Sequence, residues 1–548
     1  MNAGFHARFQ EARALRRGGR LEEAVAAYDA ALALHPASLE ARFNRANTLQ
    51  ALGRHADAVA AYEALLQARP EDAEAWNNRA VSLAALGRQA QSLASCEEAL
   101  ALRPGYPEAL HNRGNALAAL GRLDEALESL DAALQRRPEL AAALASRARV
   151  LERVGRNADA LADYEAALRL RPGDAGILCD QSHALQVLGR HAEALAVLAE
   201  APDAAPVLTN RGNALQALGR HGEALACYQR ALAASPGDVQ VEWNMALAYL
   251  ALGDYERGWP LYEARWRSAL HPAPRTSEQP QWTGEGELAG RRVLLHAEQG
   301  FGDAIQFVRF ARPLAARGAE VIVACAPPLR RLFERADGVA RVVVPGHEPL
   351  PAFDLHAPLM SLPLALGTTL QSLPPAPYLH ADPARREAWR ARLAGGRRRI
   401  GLVWAGNPEF PAARLKACPP ALLRALVQAP GCRFVSLQTG EARAGVSELG
   451  AGVLDAAGEL ADFADTADLV AALDLVIGID TAAAHLAGAL GKPAWILLPF
   501  AADWRWLVGR ADSPWYPSVR LYRQAAPGDW PGVIARVCAD LAQGDADG

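Results

Sequence analysis

The chain contains 548 residues, enough for three or four domains at roughly 150 residues each. Its 57 basic and 61 acidic residues leave a net charge of −4, which argues against a nucleic-acid-binding surface. The seven cysteines are scattered and form no C-x-x-C pair, which argues against a disulfide framework or a zinc site and favours a reducing cytoplasm.

The first half of the chain carries a repeat. Glycines fall 34 residues apart, except for one interval of 30 residues, where Pro202 and Pro206 predict a shortened helix. Most units read Leu-Gly-Arg followed by Glu-Ala or Asp-Ala and end in proline. The pattern predicts two helices per unit, with glycine at the tight turn and small residues where the helices cross. The repeated glycines are Gly19, Gly53, Gly87, Gly121, Gly155, Gly189, Gly219 and Gly253.

The period of 34, the small residue at the eighth position and an Ala-x-x-x-Tyr pattern in the second helix resemble the tetratricopeptide repeat. The resemblance covers about residues 4–267, close to eight units, and gives a predicted repeat domain of 1–267. It implies an α-solenoid whose first helices line a concave surface.

Polar residues recur at the sixth position of successive units. Asparagine in a helix is less favourable than alanine by a few tenths of a kcal/mol, so its repetition indicates a hydrogen-bonding role. One interpretation is that the amides join neighbouring helices. The other is that they grip the backbone of an extended acceptor polypeptide, because they resemble the asparagine ladder of the O-linked GlcNAc transferase solenoid. The candidate acceptor-binding residues are Asn44, Asn78, Asn112, Asn210 and Asn244.

The second half of the chain reads as a linker, 268–290, followed by alternating strands and helices. The pattern predicts parallel α/β sheets in two Rossmann-like domains, 291–382 and 383–548, with ligands bound at the strand C-termini between them. The stretch 355–381 is uncharged but contains five prolines, so it is not a membrane span. The chain start lacks an apolar signal-peptide segment, and we expect a soluble cytoplasmic protein.

Three strand ends carry candidate chemistry. In the first, a glycine-rich loop leads to Asp303, either a catalytic carboxylate or half of a helix-capping box with Gln306. In the second, Trp404-Ala405-Gly406 precedes Arg414 and Lys416, which suits a phosphate.

The third strand end is Asp480-Thr481-Ala-Ala-Ala-His485. A helix start, a hydroxyl and an imidazole on one face could bind a diphosphate. The alternative is that Asp480 caps the helix and His485 is an ordinary surface residue.

Taken together, Gly-Asp303, the lysine at 416 and Asp480-Thr481-x-x-x-His485-Leu resemble the heptosyltransferase-like glycosyltransferases of GT-B fold. The wider run to Asp503-Trp-Arg-Trp is similar to the bacterial subgroup that joins this region to tetratricopeptide repeats. The resemblance implies a metal-independent, inverting transfer of sugar from a nucleotide diphosphate to an acceptor, without a cofactor.

The resemblance also implies roles for single residues. Asp303 matches the general base, and 291–382 is then the acceptor side. The donor side, 383–548, contains the residues that match the nucleotide-sugar site. These are Trp404, Ala405, Gly406, Arg414, Lys416, Asp480, Thr481 and His485, with Gln438 or Glu441 near the ribose.

One motif departs from the subgroup. Where an acid and a serine are usual, this chain has Ala413 and Ala417, although Arg414 and Lys416 keep the charges. From the repeats and the family resemblance together, we predict a glycosyltransferase whose acceptor is a protein held by the repeats. The alternative is a repeat scaffold with a degenerate transferase-like region. A nucleotide-sugar epimerase is less favoured, because it gives the repeats no role.

Overall fold

The computed structural model describes residues 3–268, 278–395, 397–408 and 416–544. The chain divides into two compact units, Met1–Asp203 and Ala204–Gly548. Each is described by itself. The domain boundaries predicted at 267, 290 and 382 stay predictions, and the last repeats belong to the second compact unit.

The first unit consists of twelve helices within residues 3–203, arranged as antiparallel pairs. Aspartate or serine caps begin several of the first helices, as at Ser38 and Asp72, whose side chains accept backbone N–H groups of the first turn. The helices are α1 Ala3–Arg17, α2 Leu21–Leu34, α3 Leu39–Ala51, α4 His55–Ala68, α5 Ala73–Ala85, α6 Gln89–Leu102, α7 Pro107–Ala119, α8 Leu123–Arg136, α9 Ala141–Arg153, α10 Asn157–Leu170, α11 Ala175–Val187 and α12 His191–Val197.

The turn between the helices of each pair has the expected glycine geometry. All eight repeated glycines have φ between 73° and 80°, the left-handed region in which other residues are strained. The predicted short helix is α12, which has seven residues, whereas the second helices before it have 14. Both predictions are confirmed.

The second unit begins with four more repeat helices. These are α13 Ala205–Ala217, α14 His221–Ala234, α15 Val239–Leu252 and α16 Tyr255–Tyr262. Aromatic residues of α16 pack against aromatic residues of the α/β region, with Trp259 5.4 Å from Trp504 and Tyr255 5.9 Å from Trp515 between ring centroids. The last repeat therefore shares one hydrophobic core with the sheets.

The first sheet is parallel, in the order β3-β2-β1-β4. Its strands are β1 Arg292–His296, β2 Glu320–Ala324, β3 Arg341–Val343 and β4 Leu355–Pro358. Its helices are α17 Phe301–Phe307, α18 Ala311–Ala316, α19 Arg330–Phe333 and α20 Leu362–Ala365. The sequence did not predict β4, because this strand ends in a proline of the uncharged stretch. Proline is tolerated there since β4 is an edge strand.

The second sheet is also parallel, in the order β10-β9-β8-β5-β6-β7. Its strands are β5 Arg398–Val403, β6 Cys432–Ser436, β7 Val453–Asp455, β8 Leu475–Ile479, β9 Ala494–Leu498 and β10 Val519–Arg523. Its helices are α21 Pro383–Arg392, α22 Pro420–Val427, α23 Val446–Leu449, α24 Phe463–Ala472, α25 Ala482–Ala489 and α26 Trp530–Gly544. The sequence did not predict the two edge strands β7 and β10. The observed sheets agree with the predicted parallel α/β class.

Gly212 illustrates why the eighth repeat position is small. A Cβ atom at Gly212 would lie 2.3 Å from Cε1 of Tyr228, whose buried ring is held by a hydrogen bond from its hydroxyl to Asn213. We expect Gly212→Ala to lower the free energy of unfolding by about 1–3 kcal/mol through overpacking. Gly222→Ala on α14 meets no atom within 4 Å and should leave it unchanged or raise it by up to about 1 kcal/mol. Urea unfolding compares the two variants, and equal midpoints would contradict the packing argument.

Candidate functional site

Asp303 lies in the first turn of α17, after the C-terminal end of β1. The helix begins at Phe301, and Asp303 Oδ2 accepts the backbone N–H of Gly300 at 3.1 Å. Asp303 is therefore the third residue of the helix, and its side chain caps the N–H of the N-cap residue Gly300. The predicted capping box, in which Asp303 is the N-cap residue and pairs with Gln306, is wrong. Asp303 Oδ1 lies 2.5 Å from Nη2 of Arg505.

Arg505 joins two carboxylates that come from different parts of the chain. Its Nη1 donates to Asp503 at 2.8 Å while Nη2 donates to Asp303, and its guanidinium carbon lies 4.4 Å from the ring centroid of Trp504. Burial lowers the pKa of Arg505, but the two carboxylates outweigh burial and hold that pKa well above its ordinary value. Sequence reasoning assigned Arg505 no role, although Asp503-Trp-Arg-Trp carried part of the family resemblance.

Lys416 and His485 surround a second carboxylate, that of Asp480. Lys416 Nζ lies 2.6 Å from Asp480 Oδ2, and His485 Nε2 lies 3.6 Å from Asp480 Oδ1. Burial raises the pKa of Asp480, but Lys416 and His485 outweigh it and hold the pKa below its ordinary value. Asp480 is therefore a buried anion that holds the Lys416 ammonium in place through an ion pair.

His485 is held in place by two aromatic residues. Its Nδ1 lies 3.0 Å from the hydroxyl of Tyr516, and its ring stacks on Trp506 with 5.2 Å between centroids. The side chain is buried, which corrects the alternative that His485 is an ordinary surface residue.

The Asp303 pair and the Asp480 pair belong to one cluster. Asp503 links the two pairs electrostatically. Burial raises the pKa of Asp503, but the charges of Arg505 and then Lys416 outweigh burial and hold that pKa below its ordinary value. The supporting helices approach closely, since a Cβ atom at Gly302 on α17 would lie 3.0 Å from Cδ2 of His485 on α25. We call Asp303, Lys416, Asp480, His485, Asp503 and Arg505 the charged cluster.

Thr481 is the N-cap residue of α25, so the alternative that Asp480 caps this helix is wrong. The Thr481 hydroxyl lies 3.4 Å from the carbonyl oxygen of Ile479, and the Thr481 side chain does not cap the helix. The N–H of Ala484 donates to the Thr481 carbonyl oxygen at 3.0 Å, so the N–H groups of Ala482 and Ala483 are the ones that could receive an anion.

Trp404, Ala405 and Gly406 form the turn after β5. Gln438 shapes this turn, because its Oε1 accepts the N–H groups of Trp404 and Ala405 at 3.1 and 2.9 Å. Its Nε2 donates to the Thr439 carbonyl at 3.1 Å, so both ends of the amide are engaged within the protein. The ribose contact of Gln438 stays a prediction. Arg414 and Ala413 lie outside the described residues, and their roles also stay predictions.

The asparagine ladder forms hydrogen bonds between successive first helices. Asn78 Nδ2 donates to Asn47 Oδ1 at 3.0 Å, and Asn112 Nδ2 donates to Asn77 Oδ1 at 2.8 Å. Asn44 Oδ1 accepts a hydrogen bond from Arg16 at 3.2 Å. These contacts agree with the interpretation that the amides join neighbouring helices.

The second unit repeats this pattern, since Asn244 Nδ2 donates to Asn213 Oδ1 at 2.8 Å. Asn210 and the other four candidate residues remain partly exposed. Their contact with an acceptor stays a prediction.

His111 lies beside the ladder and provides a pH-dependent test. Its Nε2 lies 3.0 Å from both Asn115 Nδ2 and Ser146 Oγ, and burial, then Arg149, lowers the pKa of His111 to about 4. The unfolded chain binds this proton near pH 6.5. Neutral His111 therefore contributes fully to the free energy of unfolding above pH 6.5. As the pH falls to about 4, the free energy of unfolding falls by about 3 kcal/mol.

NMR titration of ¹³C-histidine-labelled protein measures this pKa directly, and His111→Gln identifies the signal. A His111 signal that titrates near pH 6.5 would contradict the described burial.

No described helix is both long and apolar enough to cross a bilayer. No group of three His, Cys, Asp or Glu side chains in the described part of the chain could hold a metal ion.

Models of the tetratricopeptide repeat match the first part of the chain. One matches residues 43–107, 111–175 and 148–207, another matches 205–238, and a model described as TPR repeat matches 12–53. With the helical pairs of α1–α16, these matches show a tetratricopeptide-repeat solenoid over about the first 260 residues. That prediction is confirmed.

Three known proteins are similar to parts of this chain. Protein FlbA of Caulobacter vibrioides is 32% identical over 336 residues, which cover 56% of each chain, so the match spans about half the length of this curated relative. A tetratricopeptide repeat protein from Parabacteroides merdae is 18% identical with a TM-score of 0.39, over 45% of this chain and 98% of its own. A thermophilic TPR protein from Thermus thermophilus is 26% identical with a TM-score of 0.29, over 32% of this chain and 99% of its own.

Proposed function

We propose that the second unit is a metal-independent GT-B glycosyltransferase that moves a sugar from a nucleotide diphosphate to an acceptor hydroxyl. The charged cluster carries the proposal, because it joins a carboxylate after β1 of the first sheet to a lysine, an aspartate and a histidine beside β5 and β8 of the second. Ligands of parallel α/β sheets bind at such strand ends. The resemblance to heptosyltransferase-like enzymes supports the same assignment.

On the donor side, the chemistry requires stabilisation of a departing diphosphate. The Lys416 ammonium, which lies 2.6 Å from Asp480, and the N–H groups of Ala482 and Ala483 at the start of α25 are the proposed cationic and dipolar groups. In the transfer, the bond between the anomeric carbon and the diphosphate oxygen breaks, and both electrons leave with the oxygen. Fixed charges and dipoles stabilise that oxygen in the transition state.

On the acceptor side, Asp303 is the proposed general base. Each of its oxygens accepts one hydrogen bond, Oδ2 from Gly300 and Oδ1 from Arg505, and each keeps a further acceptor site for an incoming hydroxyl. As the hydroxyl oxygen forms its bond to the anomeric carbon, its proton passes to Asp303. By the family resemblance, the displacement inverts the anomeric centre.

The acceptor is a polypeptide in this proposal, because repeat solenoids form extended surfaces for peptide partners. The partly exposed amides of Asn44, Asn78, Asn112, Asn210 and Asn244 are the candidate contacts. The hydrogen bonds of four of them to neighbouring repeats hold the amides in fixed orientations, which lowers the entropic cost of gripping an extended backbone.

Calorimetric titration with ADP and UDP tests the donor site. Only two lysines occur in the chain, so Lys492→Ala is a matched control for Lys416→Ala. Lys492 Nζ lies 3.4 Å from the Ala471 carbonyl oxygen and outside the charged cluster. We expect Lys416→Ala to weaken nucleotide binding about 10- to 100-fold, as loss of a charge-assisted hydrogen bond does, and Lys492→Ala to leave it unchanged.

The same titration decides between enzyme and scaffold. A wild-type chain that binds neither nucleotide would favour a repeat scaffold whose α/β region has lost donor binding. The substitutions at Ala413 and Ala417 are the observation that favours this second candidate.

A further inference from the structure

A cavity of about 610 Å³ lies at the β10 edge of the second sheet, and its lining shares no residue with the charged cluster. It is formed by β10, α26 and the segment 509–511. Its volume falls within the range of small-molecule pockets, about 300–1,000 Å³. The lining contains four guanidinium groups and one carboxylate, those of Arg510, Arg520, Arg523, Arg536 and Asp540. We call this cavity the arginine pocket.

Two of the four arginines are neutralised by carboxylates. Arg510 pairs with Asp512 at 2.7 Å, and Arg520 pairs with Asp540 at 2.6 Å. Asp540 also accepts a hydrogen bond from the hydroxyl of Tyr522 at 2.8 Å. The only carboxylate in the described lining is therefore already engaged.

The other two arginines have no carboxylate partner among the described residues. Arg523 donates through Nη2 to the carbonyl oxygens of Trp506 and Leu507 and through Nε to that of Arg510, so Nη1 is the nitrogen left for a ligand. Arg536 donates through Nη2 to the carbonyl oxygen of Arg523. Burial lowers the pKa of Arg523 to about 10. Burial, and then the charge of Arg523, lowers the pKa of His221 on α14.

A partly buried cation such as Arg523 without a counter-charge is unfavourable, and a bound anion lowers that penalty. We propose that the arginine pocket binds a small multivalent oxyanion, a molecule that carries phosphate or carboxylate groups. Guanidinium groups donate to both kinds of group, so Nη1 of Arg523 together with Nε and Nη1 of Arg536 can hold one oxyanion group from two sides. This site is independent of the proposed sugar transfer.

Isothermal titration calorimetry of the full chain at low salt tests the proposal, with inorganic pyrophosphate and citrate as probes. In Lys416→Ala, which weakens binding at the proposed donor site, we expect a binding event that persists and is therefore separate from that site. Arg536→Gln should weaken this event about tenfold. Arg392→Gln is the control, because Arg392 is exposed and paired with Glu459 on another face. The probe that binds more tightly identifies the phosphate or carboxylate class.

Arg536→Gln is the main variant because Arg536 is exposed and donates to one backbone carbonyl oxygen. Arg523, in contrast, donates to carbonyl oxygens of the backbone that follows Arg505. Arg523→Gln is a second variant, titrated once its circular dichroism spectrum matches that of the wild type, and should also weaken binding about tenfold. The proposal is overturned if neither probe binds the wild type, or if Arg536→Gln binds both probes within twofold of Arg392→Gln.

Discussion

Replacement of Asp303 by asparagine should lower the turnover of sugar transfer by about 10²- to 10⁴-fold, the range that a positioned general base supplies. Asparagine keeps the size of the side chain and can still accept the Gly300 N–H, but it cannot take a proton from the acceptor hydroxyl. It also leaves Arg505 with one carboxylate, that of Asp503, instead of two. The donor groups around Lys416 and Asp480 are unaltered by this change.

The measurement is transfer of labelled sugar from candidate nucleotide sugars to proteins of a cell lysate. Nucleotide affinity should change less than threefold in Asp303→Asn, because the aspartate is not part of the donor side. Asp512→Asn is the control, since Asp512 is an exposed carboxylate that also pairs with an arginine. Equal labelling by Asp303→Asn and wild type would remove Asp303 from the mechanism.

The repeat region could be predicted from the sequence because its structure is local. Six of the eight turn glycines are followed by a helix of 14 residues, and the residues that pack lie within one repeat or one repeat apart. Even the short helix α12 could be located from two prolines that follow it. The sequence could not decide what the asparagines contact, because an amide on a helix surface can bond to a neighbour or to a ligand.

The candidate site could be predicted only in part, because its contacts are not local. Asp303, Lys416, Asp480 and His485 were predicted from motifs, and the structure brings all four together. The pairing of Asp303 with Arg505 spans 202 positions of sequence, and that of Lys416 with Asp480 spans 64, so no local pattern reveals either. The edge strands β4 and β10 were missed for a related reason, since edge strands have neither the continuous apolar run nor the clear alternation of central ones.

A chain that begins at Ala204 should fold, whereas one that begins at Ser268 should not. The predicted boundary at 267 would remove helices α13–α16. Tyr255, Trp259 and Tyr262 of α16 are each no more than 2% exposed, packed with the sheet region. The hydroxyl of Tyr255 accepts a hydrogen bond from Trp515 at 2.7 Å. Each buried aromatic side chain contributes about 1.5–3 kcal/mol, so loss of three approaches the total stability of a typical domain.

The truncation that begins at Ser268 would also break a buried ion pair. The guanidinium of Arg265 is fully buried, and its Nε lies 3.0 Å from Glu298, whose side chain is 6% exposed. Removal of Arg265 leaves Glu298 as a buried carboxylate without its cation, which costs about 3–5 kcal/mol. Glu298 also accepts the N–H of Met360, so the loss extends to the loop after β4.

Expression of the two truncated chains tests this argument, with near-ultraviolet circular dichroism and urea unfolding as measurements. The chain from Ala204 should give a cooperative transition and an ordered aromatic spectrum, and the chain from Ser268 should give neither. Arg265→Met in the longer chain isolates the ion pair and should lower the urea midpoint, because Met fills the space without neutralising Glu298. If the chain from Ser268 unfolds cooperatively at the same urea concentration as the longer one, the last repeat is a separable module, and the boundary at 267 is then a structural boundary as well as a sequence one.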